Sequence, residues 1–368
     1  MNAPHTAAAA RALAGRSLQR WSAALDAFSL HRRALIGSAL ARILLGATGL
    51  YFYLRDYTDR GYMWGPDGVW PWQNFTGPAA GDGFSLYNLS RSDLWFELVF
   101  HAGVLAALLF TLGWKTRFSC VAHYVFLWSL NQRNPVVLDG GDNVTAIVLV
   151  FFVFIDAGAR FSLDARSAKS RPSGIDRQSV RYRIGSLLHH AGLLAVILQV
   201  CTVYLVSGMY KVQGERWQNG TALYYILRVN EFGWPGVNRL VYENATLVVA
   251  ITYGTVFFQL AFTFLLFNRK WRVFAVAGGI LMHAGIGVHM AGLITFSLVM
   301  IALELVIMGD DHYRRLARTW RRMRQGIPEP ATAAPEIDPR PRANAAPLPQ
   351  ATSTGARPAP ADPVLTRL

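Results

Sequence analysis

The residue best suited to proton-transfer chemistry is Lys211, which stands at the end of a long apolar segment. The chain continues from it as Val-Gln-Gly-Glu-Arg-Trp217. A lysine in this position ordinarily extends its ammonium group to the membrane surface and anchors the helix there. Under a cover of Trp residues the ammonium form would be disfavoured, and the neutral amine could act as a base. The residues alone leave both interpretations open.

Two histidines follow in a later apolar segment that is rich in glycine. His283 and His289 are six residues apart, so we expect them on different helix faces, unlike paired metal ligands, which recur at three or four residues. The surrounding glycines let neighbouring helices approach closely. His283 is interpreted either as a hydrogen-bonded core residue or as a proton donor or ligand contact.

Four further ionisable residues fall within apolar segments, where an unpaired charge is costly: Arg42, Glu97, His101 and Glu304. We expect Arg42 to form a structural ion pair with Glu97 or Glu304 inside the protein. Glu97 and His101 are four residues apart and share one helix face. A metal site needs three or four ligands, and because the other ligands cannot be named, no metal is predicted.

The composition indicates which elements must position these groups. Of the 368 residues, 52% are hydrophobic and 16% charged, whereas soluble domains have about 25% charged residues. The apolar residues form runs long enough to cross a bilayer. We predict an all-α membrane protein, a bundle of about eight transmembrane helices. The predicted spans are Ala34–Leu54, Leu94–Leu112, Phe118–Leu130, Val144–Ala157, Leu187–Gly208, Leu247–Phe267, Val273–Val288 and Gly292–Met308.

Basic residues predict the orientation, because Lys and Arg are retained on the cytoplasmic side. With eight spans, about 27 of the 36 Lys and Arg residues fall on one side and about 8 on the other. Both termini are then cytoplasmic, and the protein is predicted to lie in the cell membrane. The net charge of +14 is spread between apolar runs rather than gathered on one folded face, so nucleic acid is not a predicted partner.

The chain divides into four predicted regions. Residues 1–29 form a basic amphipathic segment, 30–310 the transmembrane domain, 311–326 a basic segment on acidic lipid head groups, and 327–368 a disordered Pro/Ala-rich tail. An aromatic cap, Tyr62–Trp72, is interpreted as a membrane-belt anchor or as a wall for a flat apolar ligand. A polar break at Asn131–Asn143 must face protein or water. Cys120 and Cys201 lie in apolar runs and are expected to be unpaired.

The segment around Lys211 resembles the HTTM domain, the horizontally transferred transmembrane domain of vitamin K-dependent gamma-carboxylases and of sporulation-delaying protein B. The resemblance covers roughly residues 30–309. In that family a small residue and Gly precede the lysine, and Trp and Gly follow it at fixed spacing. The matching residues are Gly208, Lys211, Trp217 and Gly220, supported by Arg42, Gly140-Gly141-Asp142, His283-Ala-Gly-Ile and Phe296-Ser297.

This resemblance implies a site that is open to the outer face. Lys211 and His283 become catalytic candidates, and Asp142, Asn143 and Trp217 become candidates for binding a cofactor such as a reduced quinone. In the carboxylases the corresponding lysine deprotonates reduced vitamin K. This chain has Asp142-Asn143 where those enzymes have an Asn-His-type sequence, and it has no large extracytoplasmic domain, so gamma-carboxylation of a protein is not expected.

Three functions follow as alternatives. The first is a membrane-embedded, quinol-dependent lyase or oxidoreductase relative. The second is a factor like sporulation-delaying protein B, which matures or exports a secreted peptide with a partner protein. The third is a non-catalytic membrane protein or transporter in which Lys211 is an anchor. The resemblance and the Arg- and Ala-rich tail favour a bacterial cell membrane for all three.

Overall fold

The computed structural model describes residues 28–76, 83–169, 176–229 and 233–325, together with Asp26. Across these ranges the chain is helical and contains no strand. Each of the eight predicted segments coincides with a helix, which confirms the all-helical architecture. These helices are α1 Leu35–Arg55, α2 Asp93–Leu112, α3 Thr116–Arg133, α4 Gly140–Phe152, α5 Val180–Gln213, α6 Ala245–Phe267, α7 Arg272–His289 and α8 Ile294–Ile307, followed by α9 Asp310–Gln325.

Short helices occupy the connections. The α-helical ones are Arg60–Trp64, Trp72–Thr76, Leu163–Lys169, Glu215–Gln218, Ala222–Ile226 and Pro235–Tyr242; the 3₁₀ turns are Leu86–Leu89, Pro135–Val137 and Ala291–Leu293. The described residues up to Arg318 form one compact unit; of the remainder the structure describes Thr319–Gln325, which are helical. The predicted tail of residues 327–368, and all but Asp26, Phe28 and Ser29 of the predicted N-terminal segment, lie outside the described residues.

Five of the described helices are long and apolar enough to cross a membrane: α1, α2, α5, α6 and α7. A sixth is reached when α8 and α9 are counted together as one broken span. Helix α4 is apolar but has only 13 residues. The prediction of a membrane-type helical bundle is therefore confirmed, while the count of eight crossings stays a prediction.

Arg42 is fully buried and binds backbone, and within the described ranges no acidic side chain forms an ion pair with it. Its guanidinium donates four hydrogen bonds to carbonyl oxygens, at Ala157 (3.1 Å), Phe110 (2.8 Å), Thr111 (2.5 Å) and Phe161 (2.6 Å). Phe110 and Thr111 belong to the last turn of α2, whose carbonyls have no partner within the helix. A planar cation with five donors satisfies several such carbonyls at once.

The expected ion pair between Arg42 and Glu97 or Glu304 is therefore wrong. Glu97 instead binds Arg60 at 3.1 Å and His101 at 3.3 Å near the start of α2. Carbonyl oxygens at the end of α2 already surround the guanidinium of Arg42. The dipoles of these peptide groups stabilise the positive charge of Arg42. Glu97 is far enough towards the other end of α2 to find partners in the loop after α1.

The first residues of the polar break between α3 and α4 face protein, one of the two environments expected for it, while Val136 is exposed. Arg133 and Asn134 are buried, and both donate to carbonyls of the segment that follows α1. Arg133 binds the Trp70 carbonyl at 2.7 Å and also the Gly65 carbonyl, and Asn134 Nδ2 binds the Met63 carbonyl at 2.8 Å. These bonds hold the aromatic cap on the bundle.

These contacts show which helix ends lie together. The first half of α1 shares its side with the end of α2 and with the residues after α4 through Arg42, while the end of α3 shares its side with the loop after α1 through Arg133. Helices α1 to α4 thus alternate in direction. Cys120 and Cys201 are both buried and unpaired, which confirms that expectation.

Candidate functional site

A cavity of about 700 Å³ lies between α5, α6 and α7. The short helices between α5 and α6 and the start of α8 complete its wall. Most of the lining side chains are apolar. The lining side chains that carry polar groups are Tyr204, Ser207, Lys211, Trp217, Thr255, Gln259, His283 and His289.

Helix α5 contributes three polar side chains to one stripe of this wall. Tyr204, Ser207 and Lys211 are spaced by three and four residues, which places them on one helix face. Lys211 Nζ lies 2.6 Å from Ser207 Oγ, one turn back along α5. The amine therefore points back into the cavity rather than away from the bundle.

Trp217 covers the lysine. Lys211 Nζ lies 5.1 Å from the centre of the Trp217 ring, within the range of a cation–π contact. The ring is carried by the short helix Glu215–Gln218, which follows directly after the end of α5, where the Gly214 amide binds the Lys211 carbonyl at 3.0 Å. The lysine and the tryptophan are thus brought together by a turn within a few residues of the chain.

The glycines of the same motif have steric roles. A Cβ at Gly208 would come within 2.9 Å of the Leu260 side chain, so this glycine lets α5 approach α6. Gly220 has φ +77°, in the left-handed region, and ends the turn that returns the chain towards Tyr253. Tyr253 then donates to the Gln218 carbonyl at 2.7 Å, which fixes the Trp217 helix against α6.

Both histidines of α7 contribute to the cavity wall, although a separation of six residues predicted different faces. His289 bonds through Nδ1 to Asn238 Oδ1 at 2.9 Å and so holds the helix Pro235–Tyr242 in place. His283 is 2% exposed, and among the described residues neither ring nitrogen has a hydrogen-bond partner. The cavity follows the end of α7 around more than one face.

A buried carboxyl group lies directly behind Tyr204 of this wall. Glu304 of α8 accepts a hydrogen bond from the Tyr204 hydroxyl at 2.5 Å, and its Oε1 lies 3.7 Å from His283 Nε2. The Tyr204 ring stacks on Phe262 with 3.8 Å between centres. Sequence reasoning missed Tyr204 and Ser207, although their spacing from Lys211 is a signal that could have found them.

Two predicted cofactor residues are not on the wall. Asp142 closes a capping box at the start of α4, where its Oδ2 accepts from the Asp139 amide at 2.9 Å. Asn143 is exposed. The aromatic cap is also elsewhere: Trp64 is fully buried against Phe52 of α1. Of the predicted site residues, the structure brings together Lys211, Trp217 and His283.

The sequence around this cavity matches a known protein family. The chain matches the HTTM domain over residues 83–311, which include the Lys211 motif and the cavity. It is 24% identical to the sporulation-delaying protein SdpB of Bacillus subtilis over 281 residues, 73% of this chain and 80% of that protein. It is 25% identical to the uncharacterized protein YitO of Bacillus subtilis over 239 residues, 63% of this chain and 73% of that protein.

No solved structure matches the chain. The domain match covers more than half of the sequence and contains every helix from α2 to α8. The chain therefore belongs to the HTTM domain family.

Proposed function

We propose that this protein binds an apolar ligand with an acidic hydroxyl group, such as a reduced quinone, in the cavity beside Lys211, and that Lys211 accepts the hydroxyl proton. The observation that carries the proposal is the position of Lys211 Nζ. It lies inside a largely apolar cavity, held on Ser207 Oγ at 2.6 Å and under the Trp217 ring.

The residues present fit such a ligand. A cavity of about 700 Å³ is within the range that holds a small organic molecule. Its wall is apolar except for a few groups, and two of these are buried without a partner among the described residues: Gln259 Oε1 and the His283 ring nitrogens. Buried polar atoms are normally hydrogen-bonded, so a ligand hydroxyl or carbonyl would complete them.

When bound, a reduced quinone supplies an acidic hydroxyl and a two-electron redox centre. The chain itself supplies the base, the shielding and the orientation. An amine in an apolar wall has few other proton donors to compete with the ligand, and the Trp217 ring covers one side of it. After the transfer, the ammonium of Lys211 stabilises the negative oxygen that it has produced.

Lys211→Ala should abolish ligand retention without unfolding the protein. The measurement is mass spectrometry of quinones and lipids that co-purify with the protein in detergent. Lys115→Ala is the matched control, because Lys115 Nζ also lies over a tryptophan, Trp114, at 4.9 Å, but Lys115 is not on the cavity wall. We expect at least a tenfold loss of bound ligand for Lys211→Ala and none for the control.

Two further variants separate a base from an anchor. Lys211→Arg keeps a positive charge but cannot accept a proton at neutral pH, so it should bind ligand but lose turnover. Gly285→Leu fills the cavity, since a Cβ at Gly285 would meet no atom within 4 Å, and it should displace the ligand. Equal ligand recovery from the wild type and both Lys211→Ala and Gly285→Leu would contradict the proposal.

We also propose that α1–α8 cross the cell membrane eight times, with both termini in the cytoplasm. The alternating direction of α1 to α4 and the bias of Lys and Arg to one side support this arrangement. Glu215→Cys should react with an impermeant thiol reagent added outside intact cells, and Ala168→Cys should not. Both sites are exposed, and the native cysteines are buried. If only Ala168→Cys were labelled, the protein would have the opposite orientation, with both termini outside.

A second candidate function comes from the similarity to SdpB, which spans 80% of that protein. In this alternative the chain acts with a partner protein on an exported peptide. Deletion of the chain would then remove a secreted peptide product, and Lys211→Arg would not restore it if the lysine acts as a base. A deletion strain with an unchanged set of secreted peptides would count against this function.

A further inference from the structure

Three buried polar side chains from three helices converge at the cavity wall. Glu304 of α8 is 0% exposed, Tyr204 of α5 is 1% exposed and His283 of α7 is 2% exposed. Tyr204 Oη lies 2.5 Å from Glu304 Oε1, and His283 Nε2 lies 3.7 Å from the same oxygen. Tyr204 and His283 line the cavity, and Glu304 lies behind them.

The backbone makes room for this cluster. A Cβ at Gly279 would come within 2.5 Å of Glu304 Oε1 and 2.7 Å of the Tyr204 hydroxyl, so a larger residue there would push these two groups from their observed positions. Tyr204 lies seven residues before Lys211, which corresponds to about 10 Å along α5. The cluster is therefore a second polar group along the same wall, about two helical turns deeper than the lysine.

The charge of the cluster must be balanced locally, because an isolated carboxylate within the hydrocarbon region is costly. Helix α8 packs against α1, α4, α5 and α7. On these helices the guanidinium of Arg42 is bound to carbonyls, Asp142 is bound to the Asp139 amide, and Lys211 is bound to Ser207. Among the described residues, Tyr204 and His283 are the titratable groups that contact Glu304.

Two arrangements of one proton leave this cluster without net charge. In one, Glu304 is a carboxylic acid and His283 is a neutral imidazole. In the other, Glu304 is a carboxylate and His283 is an imidazolium. Removal of the proton would leave an unpaired carboxylate, and addition of a second would leave an unpaired imidazolium, so a single proton is the state that burial favours.

We propose that Glu304 and His283, held by Tyr204, form an intramembrane proton-binding site that shares one proton and exposes it to the cavity through the His283 ring. The transfer breaks the O–H bond of Glu304, forms an N–H bond at His283 Nε2 and leaves the charge of the pair unchanged. A movement of about 1 Å or less brings the 3.7 Å separation to hydrogen-bond length. The use of this proton by a cavity ligand rests on the proposed function; the site itself does not.

The test is infrared difference spectroscopy of the full chain in lipid nanodiscs, recorded as a function of pH. A protonated carboxyl group has its own carbonyl stretching band. Glu304→Gln should remove one such band, and Glu97→Gln, at a part-exposed carboxylate that is paired with Arg60, should not. Tyr204→Phe should shift the Glu304 band to higher frequency because it removes the donor on Oε1. His283→Gln should increase the band, since the proton then has no second position.

If Glu304→Gln fails to fold, Glu304→Asp is used instead and should shift the frequency of the same band. The proton site would be overturned if neither Glu304 variant changed a protonated-carboxyl band relative to the wild type, or if His283→Gln left that band unchanged.

Lys211→Ala separates the two proposals: it should remove the retained ligand but keep the Glu304 band. Retention of the ligand in Lys211→Ala counts against the proposed function alone, and an absent Glu304 band counts against the proton site alone.

Discussion

Replacement of Arg42 by Met should destabilise the protein strongly. The change removes four charge-assisted hydrogen bonds to buried or part-buried carbonyl oxygens, of which the Phe110 carbonyl keeps a second donor, the Gly113 amide. Each unsatisfied buried group costs about 1–3 kcal/mol, so we expect a loss of about 4 kcal/mol or more. For a chain of this size, about 4 kcal/mol corresponds to a fall of about 5 °C in the unfolding temperature.

Thiol labelling of the two native cysteines measures the change in unfolding temperature. Cys120 and Cys201 are buried and unpaired, so a thiol-reactive dye labels them only as the protein unfolds. Arg91→Met is the control, since Arg91 is exposed and pairs with the exposed Asp67, and exposed ion pairs contribute about 0–1 kcal/mol. Arg42→Lys should be intermediate, because an ammonium group has three donors. Labelling of Arg42→Met at the wild-type temperature would contradict the role assigned to the guanidinium.

The second large effect is expected at Arg133, which holds the aromatic cap. Arg133→Met removes the bonds to the Trp70 and Gly65 carbonyls and the contact with the Phe75 ring, 4.9 Å from the guanidinium carbon. The loss of about 2 kcal/mol corresponds to roughly 30-fold faster amide exchange in residues 60–76, because opening of this segment becomes easier. Hydrogen–deuterium exchange with mass spectrometry measures this change.

Arg55→Met is the matched control for Arg133. Arg55 also lies over an aromatic ring, Phe52 at 5.5 Å, but its ion pair is with the adjacent Asp56 rather than with the cap. Exchange in residues 60–76 should therefore stay at the wild-type rate. If Arg133→Met also left it unchanged, the cap would be held by the packing of Trp64 rather than by the buried arginine.

Much of the helical architecture could be predicted from the order of the residues. Apolar runs of near-membrane length predicted helices at all eight places where the structure has them, because the solvation of a helix in lipid depends on its own residues. The association of Lys211 with Trp217 could be predicted for a similar reason. Only a few residues separate the two, and a local turn at Gly214 and Gly220 brings them together.

The partners of the buried charges could not be predicted in this way. Arg42 was expected to find a carboxylate, but it binds carbonyl oxygens at the end of α2, which any residue type provides and which leave no signature in the sequence. Asp142 was expected near a cofactor, but it caps α4. In each case the nearest partner depends on which helix ends lie together in space.

The sequence alone therefore determines the apolar helices and the local Lys211 motif. Both depend on residues that are close together in the chain: the helices on runs of apolar residues, and the motif on a short turn. Helix packing in three dimensions makes α5, α6 and α7 enclose a cavity, turns His283 towards it, and brings Tyr204 and Glu304 together at its wall. Tyr204 and Glu304 are 100 residues apart in the chain, and only close helix packing, which Gly279 permits, brings their oxygen atoms within hydrogen-bond distance.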